Sequence, residues 1–211
     1  MRNLVAVAFV EPVSAGQVFA RDAWPLHITL VRFDVADPPA EAKDDDGGYR
    51  APASGAAPSA SSPVNPETGP TEAGPSETGP QETGPQETDP LADEVARRMD
   101  PVVRAALGEV LTAGEPANFG RNGSIPVTLI EPNERLQQLH EGLLDIVESL
   151  HGRVATGAYT RSGYRPHVSH QGAKLLKTGD RLVLDRVALV DMAPGGTHSS
   201  RKVLTLWDAT L

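Results

Sequence analysis

The chain has 211 residues, with 28 acidic against 19 basic side chains and no cysteine. The missing cysteine excludes a disulfide framework and a thiolate metal centre, and it suits a reducing cytoplasm. Aromatic residues make up only 4% of the chain, so part of it is expected to build no core. Residues 4–10 are apolar and rich in β-branched side chains. With Arg2 in front they have some look of a secretory leader, but the run stops at Glu11-Pro12 and reads better as a first strand. A second strand spans 26–35.

Composition then changes. Residues 37–90 hold Pro, Gly, Ala, Ser, Thr and Glu, ending in a pentapeptide repeat from Glu67-Thr68-Gly69-Pro70 to Glu87-Thr88-Asp89-Pro90. Such a stretch cannot bury enough apolar surface to offset the entropy of ordering it, so it reads as a disordered insertion in a single domain made of 1–36 and 91–211. The insertion has 11 acidic and 2 basic residues, leaving 17 of each for the remainder. A neutral body argues against non-specific grip on long nucleic acid. It leaves room for a small phosphorylated ligand.

Helical spacing over 91–111 predicts a helix capped near Asp89 and kinked or split at Pro101. Short strands follow over 118–121 and 125–131. Residues 133–150 form the clearest helix, with Leu136, Leu139, Leu143, Leu144, Ile146 and Val147 on one face and Gly152 as its stop. Strands over 164–171, 181–192 and 202–207 complete the chain. No apolar run approaches the ~20 residues of a membrane-spanning helix, so no membrane partner is expected. This order fits antiparallel sheet with helices packed on it, an α+β fold.

Two of the strands carry the chemistry. His27 and Thr29 lie in Pro25-Leu26-His27-Ile28-Thr29-Leu30, and His167 and Ser169 in Arg165-Pro166-His167-Val168-Ser169-His170. Residues i and i+2 of a strand share a face, so each strand presents one imidazole and one hydroxyl together. Two histidines near pKa ~6.5 can divide the base and acid steps of phosphodiester cleavage at neutral pH. The hydroxyls of Thr29 and Ser169 can donate to non-bridging oxygens as charge grows on them. A lone His-x-Ser/Thr is common, and His198-Ser199-Ser200 matches it too. Strand context and a preceding proline set the other two apart. Between 149 and 179 there is no acid, but Arg153, Arg161, Arg165, Lys174 and Lys177 are present. Arg165 is the cation nearest the second motif and a candidate phosphate contact.

Trp24-Pro25-Leu26-His27-Ile28-Thr29-Leu30 and Tyr164-Arg165-Pro166-His167-Val168-Ser169 resemble the paired signatures of the two-histidine (2H) phosphoesterases. Within them the likeness is to the LigT-like RNA 2',3'-cyclic phosphodiesterases, historically called 2'-5' RNA ligases. The resemblance implies a bilobal fold of two antiparallel sheets with outer helices around a cleft, related by a pseudo-twofold axis. It implies catalysis by His27 and His167 and phosphate contacts from Thr29 and Ser169, with no metal or other cofactor. The implied substrate is a nucleotide or short RNA with a 2',3'-cyclic phosphate or a 2'-5' linkage, handled by a monomer. The sequence departs from the family at Ser169, where Thr is commoner, and at His170, usually apolar, which alternation turns away from the cleft. Tyr164 and Trp207 read as core residues that could instead stack on a base, and His140 and His151 as surface residues. Two other readings stand beside this one: a non-catalytic sensor of cyclic or 2'-5'-linked nucleotides, and a scaffold whose Pro/Glu repeat is the working part.

Overall fold

Strand β1 (Arg2–Phe9) carries two apolar sets, and its alternation fixes the layers. Leu4, Ala6 and Ala8 pack into one core, Val5, Val7 and Phe9 into another on the opposite side, and all six are buried. A strand buried on both faces belongs in the middle of a sheet, and β1 is hydrogen-bonded along both edges. The computed structural model describes residues 1–36, 89–154 and 159–209. The insertion expected over 37–90 lies outside them, apart from Asp89 and Pro90.

The remaining strands are β2 (Val18–Ala20), β3 (His27–Val35), β4 (Val110–Phe119), β5 (Ile125–Ile130), β6 (Arg153–Val154), β7 (His167–Ser169), β8 (Arg181–Val183), β9 (Arg186–Asp191) and β10 (Ser200–Asp208). All pair antiparallel along the path β2-β10-β9-β1-β3-β7-β5-β4-β8, with β6 beside the far end of β3. Where the motif resemblance implies two sheets, the described strands form one hydrogen-bonded path. Its halves meet where Ile28 of β3 opposes Val168 of β7. The expected strand over 164–171 shrinks to three residues, that over 181–192 divides into β8 and β9, and that over 118–121 is the end of the longer β4.

Helices α1 (Pro90–Ala106) and α2 (Glu134–Ser149) cover the face of Leu4, Ala6 and Ala8. Asp89 caps α1 by accepting from the Ala92 N–H, and Asn133 caps α2 by accepting from Leu136. Helix α1 runs through Pro101 as one element. It stops before the expected 111 because Leu107 turns extended and Gly108 takes φ +87°. Val95, Met99 and Val103 of α1 and Leu136, Leu139 and Leu143 of α2 meet Ile28, Phe33 and Leu189 of the sheet in one core. Trp207 is buried there, its Nε1–H donating to Asp100 of α1 at 3.1 Å, which makes it a core residue. The opposite face of β1, β9 and β10 is covered by Phe19 and Trp24. No helix among the described residues is long and apolar enough to cross a membrane.

Candidate active site

The pairing of β3 with β7 builds the site. Ile28 and Val168 are directly opposed, and both are fully buried toward the helices. Their sequence neighbours therefore face the side that the helices leave open. Continuing the antiparallel register sets His27 opposite Ser169 and Thr29 opposite His167. The two motifs are thus related by a local twofold axis through the Ile28–Val168 pair, with imidazoles on one diagonal and hydroxyls on the other. Diagonal neighbours in such a pair lie about 7–8 Å apart, a span that a phosphate group can fill.

Each ring is held by the same device. His27 Nδ1 lies 2.8 Å from the Pro25 carbonyl and His167 Nδ1 lies 2.9 Å from the Arg165 carbonyl, two residues upstream in both cases. A carbonyl only accepts, so Nδ1 carries the proton, and in the neutral ring Nε2 keeps its lone pair. In the second motif Arg165 precedes Pro166, which pushes it to extended backbone, and in the first the acceptor is Pro25 itself, whose ring fixes its φ. His27 packs edge-on to Phe9 (5.9 Å between centroids) and against Trp24 (4.5 Å). His167 packs against Phe119 of β4 at 4.5 Å.

Burial pushes both imidazoles below their ordinary range. The carbonyl bonds oppose this, while the nearby His167 adds to it for His27 and the Arg165 guanidinium adds to it for His167. Both rings are therefore neutral at pH 7 in the unliganded protein.

Beyond the Ile28–Val168 pair the strands part, and β3 goes on to pair with β6. A cleft of about 670 Å³ opens there, lined by Thr29, Arg32, Phe119, Tyr159, Arg165, His167 and Ser169 among others. His27 stands outside that lining, at the Trp24 end of the motif. Arg165 is exposed and lies over the Phe119 ring at 5.0 Å. Of the other cations in the basic window, Arg161 pairs with Asp145 and Glu148, and Lys174 with Glu11. Tyr159, 61% exposed, offers an aromatic face to the cleft that the sequence reading did not pick out.

Strand β3 carries a bulge that sequence reasoning missed. Ala6 pairs with Val31 and Val7 with Thr29, so Leu30 has no opposite number on β1. The extra residue re-phases the strand: Arg32, opposite Val5, shares the open face with Thr29, opposite Val7. His140 and Tyr164 hold the bulge from the helix side. His140 Nδ1–H donates to the Leu30 carbonyl at 2.7 Å, its Nε2 accepts from the Arg161 N–H at 3.1 Å, and its ring stacks on Tyr164 at 3.8 Å. The Tyr164 hydroxyl donates to the Thr29 carbonyl at 3.0 Å, and burial pushes that phenol's pKa up.

One expectation is corrected here. His140 is buried, 2% exposed, because position 140 falls inside the apolar arc of Leu136, Leu139, Leu143, Leu144 and Val147. Tyr164 packs against the core, as expected, and its hydroxyl braces the first motif. His151 is exposed as expected, and His170 faces away from the cleft, its Nε2 2.9 Å from Thr128 Oγ1. Among the described residues no group of three or more His, Asp or Glu side chains is placed to hold a metal ion.

No protein-family model matches the chain, and no curated protein does. Solved structures do. The chain is similar to a phosphoesterase at 12% identity and a TM-score of 0.46, covering 98% of this chain and 97% of that one. It is also similar to E. coli LigT, solved in complex with NADP+ (11% identity, TM-score 0.44, 98% and 96% covered) and with 3'-AMP (12% identity, TM-score 0.45, 100% and 98% covered).

Proposed function

We propose that this chain is a metal-independent phosphodiesterase that opens a 2',3'-cyclic phosphate, or cleaves a 2'-5' linkage, of a nucleotide or short RNA. The observation that carries the reading is the twofold pairing of His27-x-Thr29 with His167-x-Ser169 across Ile28 and Val168. The stretches of sheet on either side of that pair are read as two lobes, and the cleft between them as the substrate channel.

In this scheme water attacks phosphorus and gives its proton to Nε2 of one ring. The P–O3' bond breaks, and Nε2–H of the other ring protonates the departing O3', leaving a 2'-phosphate. The Nδ1 bonds to Pro25 and Arg165 fix both rings so that Nε2 is the working atom. Thr29 and Ser169 hydroxyls donate to the non-bridging oxygens. An anionic phosphate between the rings restores the protonated form of one of them, reversing the effect of burial. Arg165 contacts the phosphate from the cleft wall, and Phe119 and Tyr159 give the base flat surfaces.

The test is incubation with 2',3'-cyclic nucleotides, cyclic-phosphate-ended RNA and 2'-5' oligoadenylate, with products read by mass spectrometry. His27→Ala and His167→Ala should each lower kcat about 10²–10⁴-fold, the usual contribution of a general acid or base. Undiminished turnover in either variant overturns the reading. Tight binding with no product would assign the chain to nucleotide sensing instead.

A further inference from the structure

Arg32 is not used by the scheme above, yet the bulge at Leu30 delivers it to the same face and into the same cleft as Thr29. Its Nε and Nη2 both donate to Asn3 Oδ1, at 3.2 and 3.0 Å, and the Asn3 amide donates in turn to Asp34. A neutral amide rather than a carboxylate orients this guanidinium, and Nη1 makes no hydrogen bond among the described residues. On the same face, the register carries the row of Asp34 and Asn3 across Met192 to Arg201 of β10.

Arg201 is only 7% exposed and has no carboxylate partner among the described residues. Its Nη1 reaches the carbonyls of Met192, His198 and Ser200, and its buried Nε has no hydrogen-bond partner among the described residues. Leaving a buried donor unpaired costs about 1–3 kcal/mol. Arg21 lies beside the same turn, its N–H donating to the Ser199 carbonyl at 2.8 Å, and burial, then the positive charges of Arg21 and Arg32, push the Arg201 pKa down. Of the acids close by, Asp191 pairs with Arg2, and Asp34 accepts from the neutral Asn3 amide.

We infer that Arg32, backed by Arg201 and Arg21, forms a second anion subsite beside the catalytic motifs, which takes a phosphate of the substrate other than the reacting one. The preferred substrate then carries at least two phosphates, as a 5'-phosphorylated nucleotide or an oligonucleotide does and a bare nucleoside cyclic phosphate does not. This rests on the proposed function for which phosphate reacts. The anion preference itself can be measured without turnover.

Calorimetry on the full chain compares adenosine 3',5'-bisphosphate with adenosine 3'-monophosphate at one salt concentration. The wild type should bind the bisphosphate about tenfold more tightly or better, the worth of one charge-assisted hydrogen bond. Arg32→Gln, an exposed position that should leave the melting curve unchanged, should remove most of that advantage, while Arg32→Lys keeps part of it. Equal affinities in the wild type, or an advantage that survives Arg32→Gln, overturns the subsite. Loss of the proposed turnover with the advantage intact would remove the catalytic reading alone.

Discussion

At His27 and His167 the main chain selects the tautomer, and that choice has a kinetic signature. Because burial holds both rings below the ordinary imidazole range, the form of the free enzyme with one neutral and one charged ring is most populated below pH 6.5. A bell-shaped kcat/KM profile with its maximum below ~6.5 is expected, its limbs belonging to the pair rather than to either ring. A plateau from pH 7 to 9 would contradict it. Thr29→Val and Ser169→Ala should each cost about 10²–10³ in kcat, as loss of one preorganised donor does. The His-x-hydroxyl pairs were legible because alternation and the preceding proline are local properties. Arg32 was not, since strict alternation from His27 sends positions 31 and 33 to the open face. One unpaired residue, Leu30, reverses that.

Among the elements, β3 and α2 depend on each other through the bulge. His140→Phe keeps the size and apolar packing of the ring but orphans the Leu30 carbonyl and the Arg161 N–H. The Leu30 carbonyl is buried, and such an orphan costs about 1–3 kcal/mol, so urea unfolding should show a loss of that size, and turnover should fall as Thr29 loosens. The end of α2 gives a paired expectation. His151 holds φ +54°, while Gly152 has its N–H on the Val147 carbonyl and no room for a Cβ, which would meet Val147 Cγ1 at 2.8 Å. His151→Gly should stabilise the fold by about 0.5–1 kcal/mol and Gly152→Ala should destabilise it. The opposite order in thermal melts would refute the assignment. The sequence marked this stop at the glycine, but the left-handed turn falls one residue earlier. The two helices, the Asp89 cap and strands β1, β3 and β10 were readable from local pattern, whereas most of β4 was not. Strands β2 and β6, three and two residues long, are too short to carry a period.

For the molecule as a whole, three partly or fully buried histidines set the acid limit. His27, His140 and His167 all have folded-state pKa values below the unfolded value, burial being the largest cause in each. Between those values the unfolded chain binds more protons, so their stability contribution is complete above pH ~6.5 and is lost as pH falls toward the folded values. The melting temperature should drop between pH 7 and 5.5, before carboxylates such as Glu11, held low by Lys174, begin to titrate. Arg2 also orders the molecule at long range. It opposes Val35 at the end of β3 and pairs with both Asp89 and Asp191. The chain therefore leaves β3 and re-enters at α1 beside one guanidinium. Replacing 37–88 with a short Gly/Ser linker should preserve turnover and raise stability by up to roughly 2 kcal/mol, since loop closure costs ~0.6 kcal/mol per doubling of length. Loss of activity would show that the acidic stretch takes part in the chemistry. If the linker is tolerated, Arg2 works as a clasp, and the opening it closes is a docking port: a fluorescent protein or an affinity handle with closely spaced ends could be spliced there without disturbing the catalytic strands.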